Sequence, residues 1–350
     1  MKYRKLGNSG LSASNLILGT MGFGTETPED EAFAILDAFL EAGGNMIDTA
    51  DVYGGGASEE LLGRWRAARP ETTSRLAIAT KARFGTGPDV NDVGTSRPHL
   101  HRALNASLKR LGVEAIDLYQ MHGWDPLTPI EETLAFLDAA ARAGKIHYVG
   151  LSNFTGWQLQ LALSTAKAMG LQVPITLQQQ YSLVCREIEY EVIPAALHNG
   201  IGLLPWSPLA GGFLSGKYDR AHGVDKDGTR YGNGNPMLGH IGKEHAASER
   251  NWATVDALRQ IADEIGATPS QVALSWVNNR PSVTAPIIGA RTMGQLEDNL
   301  VAANLQIDAD AISKLDSVSA PTPEDYPYGR FGTLQRERYI DSSEQALREL

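Results

Sequence analysis

Short apolar runs that alternate with longer segments of helical period constrain the fold of this chain more than any other feature. Eight such runs lie at residues 16–18, 45–47, 76–80, 115–121, 147–151, 175–178, 202–206 and 285–288. Eight strand–helix units in strict alternation predict an α/β fold, a closed (β/α)8 TIM barrel. An open doubly wound sheet with a dinucleotide fingerprint is disfavoured, because no GxGxxG motif follows the first strand.

Helix boundaries are marked by residues that cap helices. Thr27, Ser58 and Thr128 stand before Pro or Glu residues, and we expect each to supply a capping oxygen at a helix start. Glycines at the ends of periodic segments predict left-handed helix ends, and they are Gly43, Gly112, Gly144, Gly170 and Gly200.

Further segments are predicted outside the eight units, within a single domain over residues 1–350. Residues 3–14 are typical of a hairpin that plugs the barrel floor. Residues 208–249, after strand seven, form a long stretch of the kind that makes binding loops, and residues 320–350 form a tail. Helices are expected at residues 248–265, 269–279 and 308–319, the last being an extra C-terminal helix.

Charge and composition exclude several classes of partner. The net charge of -10 repels phosphate backbones and anionic membrane surfaces, so nucleic acid and membrane are not expected. The only cysteine, Cys185, cannot form an internal disulfide and has no Cys or His neighbour at metal-ligand spacing. The first residues lack the apolar core of a signal peptide, and no stretch approaches the roughly 20 apolar residues of a membrane helix. We therefore expect a cytoplasmic protein that acts on a small molecule.

Four residues suited to proton transfer stand at or just beyond strand ends. They are Asp48, Tyr53, Lys81 and His122, and strand ends of a parallel barrel converge on one rim. A phenol of pKa about 10 is a weak acid unless a cation such as Lys81 stabilises its anion. Asp48 could supply the counter-charge of a buried Lys81, and His122 could orient a carbonyl oxygen.

This set implies a reaction class. A tyrosine acid without a nucleophile or metal ligands predicts proton delivery to an oxygen while a hydride donor supplies the electrons, hence a nicotinamide cofactor and no metal. Taken singly, each residue also has a structural interpretation, such as a cap for Asp48 or a loop aromatic for Tyr53. Their joint placement at three strand ends favours function.

Seven stretches in order carry a family resemblance. They are IDTADVYGGGASEELLG (47–63), TK (80–81), IDLYQMHGWD (116–125), GKIHYVGLSNF (144–154), QQQYSLVCR (178–186), WSPLAGGFLSGKY (206–218) and IIGARTMGQLEDN (287–299). Through them the chain resembles the aldo-keto reductases, above all bacterial members similar to potassium-channel β subunits. The resemblance implies that Tyr53 is the general acid, Lys81 lowers its pKa, Asp48 pairs with the lysine and His122 orients the carbonyl.

The resemblance also implies NADP(H) on the rim, with NAD(H) as the weaker alternative. Ser152, Asn153 and Gln178 would bind the carboxamide, and Trp206 rather than Tyr181 would stack on the nicotinamide. Arg291 would clamp the 2′-phosphate, which favours NADP(H). The remaining cofactor residues are Gly19, Thr20, Met21, Asp48, Ser207, Pro208, Leu209, Gly211, Lys217, Arg230, Gly289, Gln295, Asp298 and Asn299.

An aromatic mouth is expected for the substrate. Its predicted residues are Phe23, Tyr53, Phe84, His122 and Trp124, which would suit an apolar or ring-shaped carbonyl compound. The leading hypothesis is an NADPH-dependent carbonyl reductase acting on an aldehyde or ketone, including a keto-sugar or a foreign compound. Two alternatives remain: a regulatory subunit that retains a nucleotide as a redox sensor, like the channel β subunits, and a Schiff-base aldolase using Lys81. The oligomeric state is left open.

Overall fold

Eight parallel strands form the barrel. The structure is a computed structural model that describes residues 1–224, 228–232 and 236–336. An antiparallel hairpin of β1 (Tyr3–Lys5) and β2 (Ser12–Ser14) comes first. The barrel strands are β3 (Ile17–Gly19), β4 (Met46–Asp48), β5 (Ala77–Ala82), β6 (Ile116–Met121), β7 (Ile146–Ser152), β8 (Thr176–Gln180), β9 (Gly202–Trp206) and β10 (Ile287–Gly289).

The sheet order is β10-β3-β4-β5-β6-β7-β8-β9. Hydrogen bonds between β9 and the chain entering β10 bring the two sheet edges together: Leu203 N–H donates to Ser282 O at 3.0 Å and Thr284 N–H to Leu203 O at 2.9 Å. The predicted (β/α)8 barrel with an N-terminal hairpin is therefore confirmed.

Helices follow the strands. They are α1 (Glu29–Glu41), α2 (Ala57–Ala68), α3 (Pro70–Thr73), α4 (Arg97–Leu111), α5 (Ile130–Arg142), α6 (Gly156–Met169), α7 (Val192–Asn199), α8 (Pro236–Ala246), α9 (Glu249–Ile265), α10 (Pro269–Asn278), α11 (Met293–Val301), α12 (Ala309–Val318) and α13 (Arg330–Leu334). The chain divides into two units between Ser319 and Ala320. None of the helices in the described ranges is long and apolar enough to cross a membrane.

The long stretch 208–249 differs from a plain loop. It holds a 3₁₀ segment, Ala210–Ser215, and the helix α8, which the abundance of Gly and Asn had hidden in the sequence. Residues 225–227 and 233–235 of this stretch, and residues 337–350 of the predicted tail, lie outside the described residues.

The predicted helix ends are confirmed, but the predicted caps are wrong. Gly43, Gly112, Gly144, Gly170 and Gly200 all have positive φ, between 64° and 88°. None of the three predicted hydroxyls makes a capping hydrogen bond, and two of them bond to other groups. Ser58 Oγ donates to Thr20 O at 2.9 Å, Thr128 Oγ1 donates to Asp125 at 2.7 Å, and Thr27 Oγ1 is buried without a partner among the described residues.

The hairpin fills the amino-terminal side of the barrel interior. Leu6 is fully buried in a cluster with Ile17, Met46 and Ile175, residues at or beside the starts of their strands. The opposite ends of the strands carry polar residues that point inward. This division leaves the carboxyl-terminal rim free for chemistry.

Candidate active site

Three strand ends bring the predicted catalytic residues together. Asp48 ends β4, Lys81 lies in β5, His122 follows β6, and Tyr53 opens a 3₁₀ turn, Tyr53–Gly56. Lys81 Nζ donates to Asp48 Oδ1 at 2.5 Å, to the Thr49 carbonyl at 2.8 Å and to Tyr53 Oη at 3.2 Å. The phenol of Tyr53 is therefore in direct contact with a buried ammonium group.

Two amide side chains hold the second oxygen of Asp48. Gln178 Nε2 donates to Oδ2 at 2.8 Å and Gln120 Nε2 donates to it at 3.1 Å. Gln120 was not predicted as a site residue, although the alternation of Leu118, Gln120 and His122 along one face of β6 could have indicated it. Gln178 is thus engaged with Asp48 as well as lining the cavity described below.

Burial and the neighbouring charges together set the protonation of Lys81 and Tyr53. Burial alone lowers the pKa of Lys81, but Asp48 and Tyr53 outweigh it and the pKa is raised, so the lysine stays an ammonium ion. Burial raises the pKa of Tyr53, and the opposing effect of Lys81 is smaller. Lys81 thus acts in the expected direction, but the net shift of the phenol is upward. The phenol is protonated at neutral pH.

His122 is a neutral imidazole. Burial, together with the cations Lys81 and Arg83, lowers its pKa to about 2. Its ring lies 5.8 Å from that of Tyr53 and 4.7 Å from that of Phe84, centroid to centroid, and both contacts are edge-on. Nδ1 is buried and has no partner among the described residues. A neutral imidazole can donate one hydrogen bond, as carbonyl orientation requires.

A cavity of about 620 Å³ opens beside these residues. All nineteen predicted cofactor residues line it, as do Phe23, Tyr53, Phe84 and His122. Lining residues that the sequence did not single out are Gly22, Glu26, Val52, Gly212, Ser215, Ser270, Leu274, Ile287, Ile288 and Ala290. Most are glycines or apolar residues, whose position on a cavity wall leaves no chemical signature in sequence.

Two predicted site residues lie outside this lining in the described part of the chain. Lys81 is fully buried behind the wall, in contact with Tyr53. Trp124, predicted as a substrate residue, turns away because its ring packs edge-on against Phe154 and Trp157, each at 5.4 Å. Trp206 lines the cavity, whereas Tyr181 is buried beside Trp276.

The cavity has features that suit an anionic dinucleotide. Lys217, Arg230 and Arg291 line it, and the buried hydroxyl of Ser152 has no partner among the described residues. The backbone is strained where it borders the cavity, since Asn153 and Ser207 have φ of 57° and 51°. Non-glycine residues in this region cost on the order of 1–3 kcal/mol and cluster at functional sites. These residues therefore fit the predicted nucleotide.

The side chains predicted to face the adenosine make hydrogen bonds to the surrounding rim. Gln295 Oε1 accepts from Arg291 N–H at 2.9 Å, and Asn299 Nδ2 donates to Gly289 O at 3.1 Å. Asp298 Oδ1 accepts from Thr268 and Gln271 at the start of α10, at 3.0 and 2.8 Å. Within the described residues, no group of three or more His, Cys, Asp or Glu side chains is placed to hold a metal ion.

Comparison with known proteins identifies relatives over nearly the whole chain. The model of the Aldo/keto reductase family matches residues 15–320. The uncharacterized oxidoreductase YrpG of Bacillus subtilis is 37% identical over 94% of this chain and 100% of its own length. A probable voltage-gated potassium channel subunit beta of Arabidopsis thaliana is 34% identical, over 93% of this chain and all of its own. Versiconal hemiacetal acetate reductase of Aspergillus parasiticus is 31% identical, over 92% and 98%.

Proposed function

The chain belongs to the aldo/keto reductase family, and from this premise we propose that it is an NADPH-dependent carbonyl reductase in which Tyr53 protonates the substrate oxygen. The observation that carries the proposal is the 3.2 Å contact between Lys81 Nζ and Tyr53 Oη. A phenol in that position is an acid at neutral pH whose anion forms beside a fixed cation.

The remaining residues prepare this proton transfer. Asp48 keeps Lys81 charged, and Gln120 and Gln178 hold Asp48 in place. His122, being neutral, can donate a hydrogen bond that orients the carbonyl without competing for the proton of Tyr53. When bound, reduced NADP supplies the hydride. Ser152, Asn153, Trp206, Lys217, Arg230 and Arg291 are the residues we propose to hold it.

The two alternatives differ in what they require of Lys81. A Schiff-base lysine must be neutral and reach a carbonyl group. Lys81 has a raised pKa, is fully buried and donates to three oxygens, which argues against an aldolase. A nucleotide-retaining regulatory subunit would keep the same pocket, and the similarity to proteins named channel β subunits keeps it as the second candidate.

The test is NADPH and NADH consumption against a panel of aldehydes and ketones, with nucleotide affinity measured in parallel. We expect Tyr53→Phe to lose about 10²- to 10⁴-fold in kcat/KM, the scale of general acid catalysis, while still binding NADPH. Tyr119→Phe is the matched control, because this buried phenol has no hydrogen-bond partner among the described residues. Tight binding without turnover in the wild type would favour the regulatory subunit.

A further inference from the structure

Arg291 and Glu26 form an ion pair in the lining of the cavity. Arg291 follows β10, Glu26 lies between β3 and α1, and both line the cavity. Arg291 Nη1 lies 3.5 Å from Glu26 Oε2, and about a third of each side chain is exposed. The cation that would receive a 2′-phosphate is thus already in contact with a carboxylate.

Both partners are held by short hydrogen bonds. Glu26 N–H and Thr27 N–H donate to the same carbonyl, Gly22 O, at 2.8 and 3.0 Å, which fixes the turn that carries Glu26. Arg291 N–H donates to Gln295 Oε1 at 2.9 Å. Met293 N–H also donates to Glu31 Oε1 at 2.8 Å, which joins the start of α11 to α1. The backbone segments that carry Glu26 and Arg291 are therefore both fixed by hydrogen bonds.

From this contact we infer that Glu26 sets the cofactor selectivity of the site by opposing the 2′-phosphate of NADPH. The inference rests on the proposed function, because it assigns Arg291 to that phosphate. A phosphate monoester carries about -1.5 to -2 charges at neutral pH. If the carboxylate leaves when the phosphate binds, its ion pair is lost; if it stays, it repels the phosphate. Either way Glu26 weakens the binding of NADPH.

NADH binding neither breaks this ion pair nor brings a phosphate close to Glu26. Its 2′ position carries a hydroxyl group, which can be accommodated without removing Arg291 from Glu26. An acidic side chain can also accept a hydrogen bond from a ribose 2′-hydroxyl. Arg291 alone would make the site bind NADPH more tightly than NADH. Glu26 therefore reduces this difference in affinity.

The experiment measures the dissociation constants of NADPH and NADH by fluorescence titration, in the wild type and in Glu26→Gln. The amide keeps the size of the side chain and removes its charge. We expect the ratio of the NADH constant to the NADPH constant to rise roughly 3- to 10-fold, on the scale of a partly exposed charge contact. The rise should shrink at high salt, because exposed charges are screened.

Glu29→Gln is the matched control. Glu29 is also paired with an arginine, Arg64, at 2.5 Å, but it does not line the cavity. An unchanged or lower ratio in Glu26→Gln, or an equal rise in Glu29→Gln, would overturn the inference. A wild type that binds neither nucleotide would instead contradict the proposed function, so the two failures are distinguishable.

Discussion

Asp51 is a buried carboxyl group beside the site that the proposed mechanism does not use. It is 2% exposed, and no side chain among the described residues donates a hydrogen bond to its oxygens. Burial and the nearby Glu59 carboxylate raise the pKa of Asp51 to about 7, against a lowering by Arg110, by the backbone N–H of Val52 and by Lys81. In the folded chain this group is protonated up to nearly neutral pH.

A raised folded-state pKa makes stability depend on pH in a definite direction. The unfolded carboxyl ionises near pH 3.9, so the contribution of Asp51 is fully present below that pH and is lost as pH rises through 7. We subtract the unfolding free energy of the wild type from that of Asp51→Asn. We expect this difference to increase by about 2–3 kcal/mol from pH 5 to pH 8.5, because only the wild type loses stability as pH rises. Urea unfolding at both pH values measures this. A difference between the two proteins that is the same at pH 5 and pH 8.5 would contradict it.

Single residues were predictable where their chemistry is distinctive. Asp48, Lys81 and His122 stand at strand ends and Tyr53 follows in the loop after β4, and a lysine or histidine at a strand end is conspicuous. Gln120 was missed, because a glutamine inside an apolar strand has many possible partners until the register aligns it with Lys81. Trp124 was placed on the substrate side because of its neighbour His122, but aromatic packing determines where its ring lies.

At the scale of elements, α2 and α4 approach each other closely at Gly63. A Cβ atom built on Gly63 would lie 2.0 Å from Arg110 O, in the last turn of α4. Gly→Ala inside a helix ordinarily stabilises by about 0.5–1 kcal/mol. At Gly63 the clash reverses the sign, because the methyl group meets backbone, and we expect Gly63→Ala to lose about 1–3 kcal/mol.

Gly294 provides the control for this prediction. It lies in α11, and a Cβ atom built there meets no atom of the described residues within 4 Å beyond its chain neighbours and the backbone of its own helix. Gly294→Ala should therefore be neutral or stabilising by up to about 1 kcal/mol. Denaturant unfolding measures the free energy of unfolding of both variants. A Gly63→Ala variant more stable than the wild type would contradict the prediction and show that α2 and α4 can move apart without loss of stability.

Element positions were predicted better than element ends. Periodicity located the strands to within two residues, and the positive φ of Gly43 and Gly112 follows from glycine's lack of a Cβ. The use of the Ser58 hydroxyl could not be predicted, because its partner Thr20 is brought near only by the fold. Thr128 instead bonds locally, to Asp125 three residues before it. Helix α8 was missed for a local reason, because Gly239 and Gly242 lower the helix propensity of this segment.

For the whole molecule, the barrel topology decides which distant residues meet. Arg291 and Glu26 are neighbours because β10 pairs with β3, and nothing local in either segment indicates that contact. The number of strand–helix units sufficed to predict closure. The contact between Arg291 and Glu26, on which the inferred selectivity depends, required the structure.

The division of the chain at Ala320 leads to a prediction about the tail. The described residues that line the cavity lie between Gly19 and Asn299, and α12 ends before the division. We expect a chain ending at Ser319 to bind NADPH with a dissociation constant within about twofold of the full chain, since it keeps these residues. Fluorescence titration measures this.

A second cut, after residue 307, serves as the control, because it also removes α12. Asp316 of that helix accepts from Trp276 Nε1 at 2.8 Å and from Arg280 Nη1 at 2.9 Å, and both donors would lose a partly buried acceptor. Loss of a charged acceptor costs on the order of 1–3 kcal/mol, so this chain should unfold at lower denaturant concentration. Weaker NADPH binding by the chain ending at Ser319 would mean that residues beyond the barrel unit shape the nucleotide site.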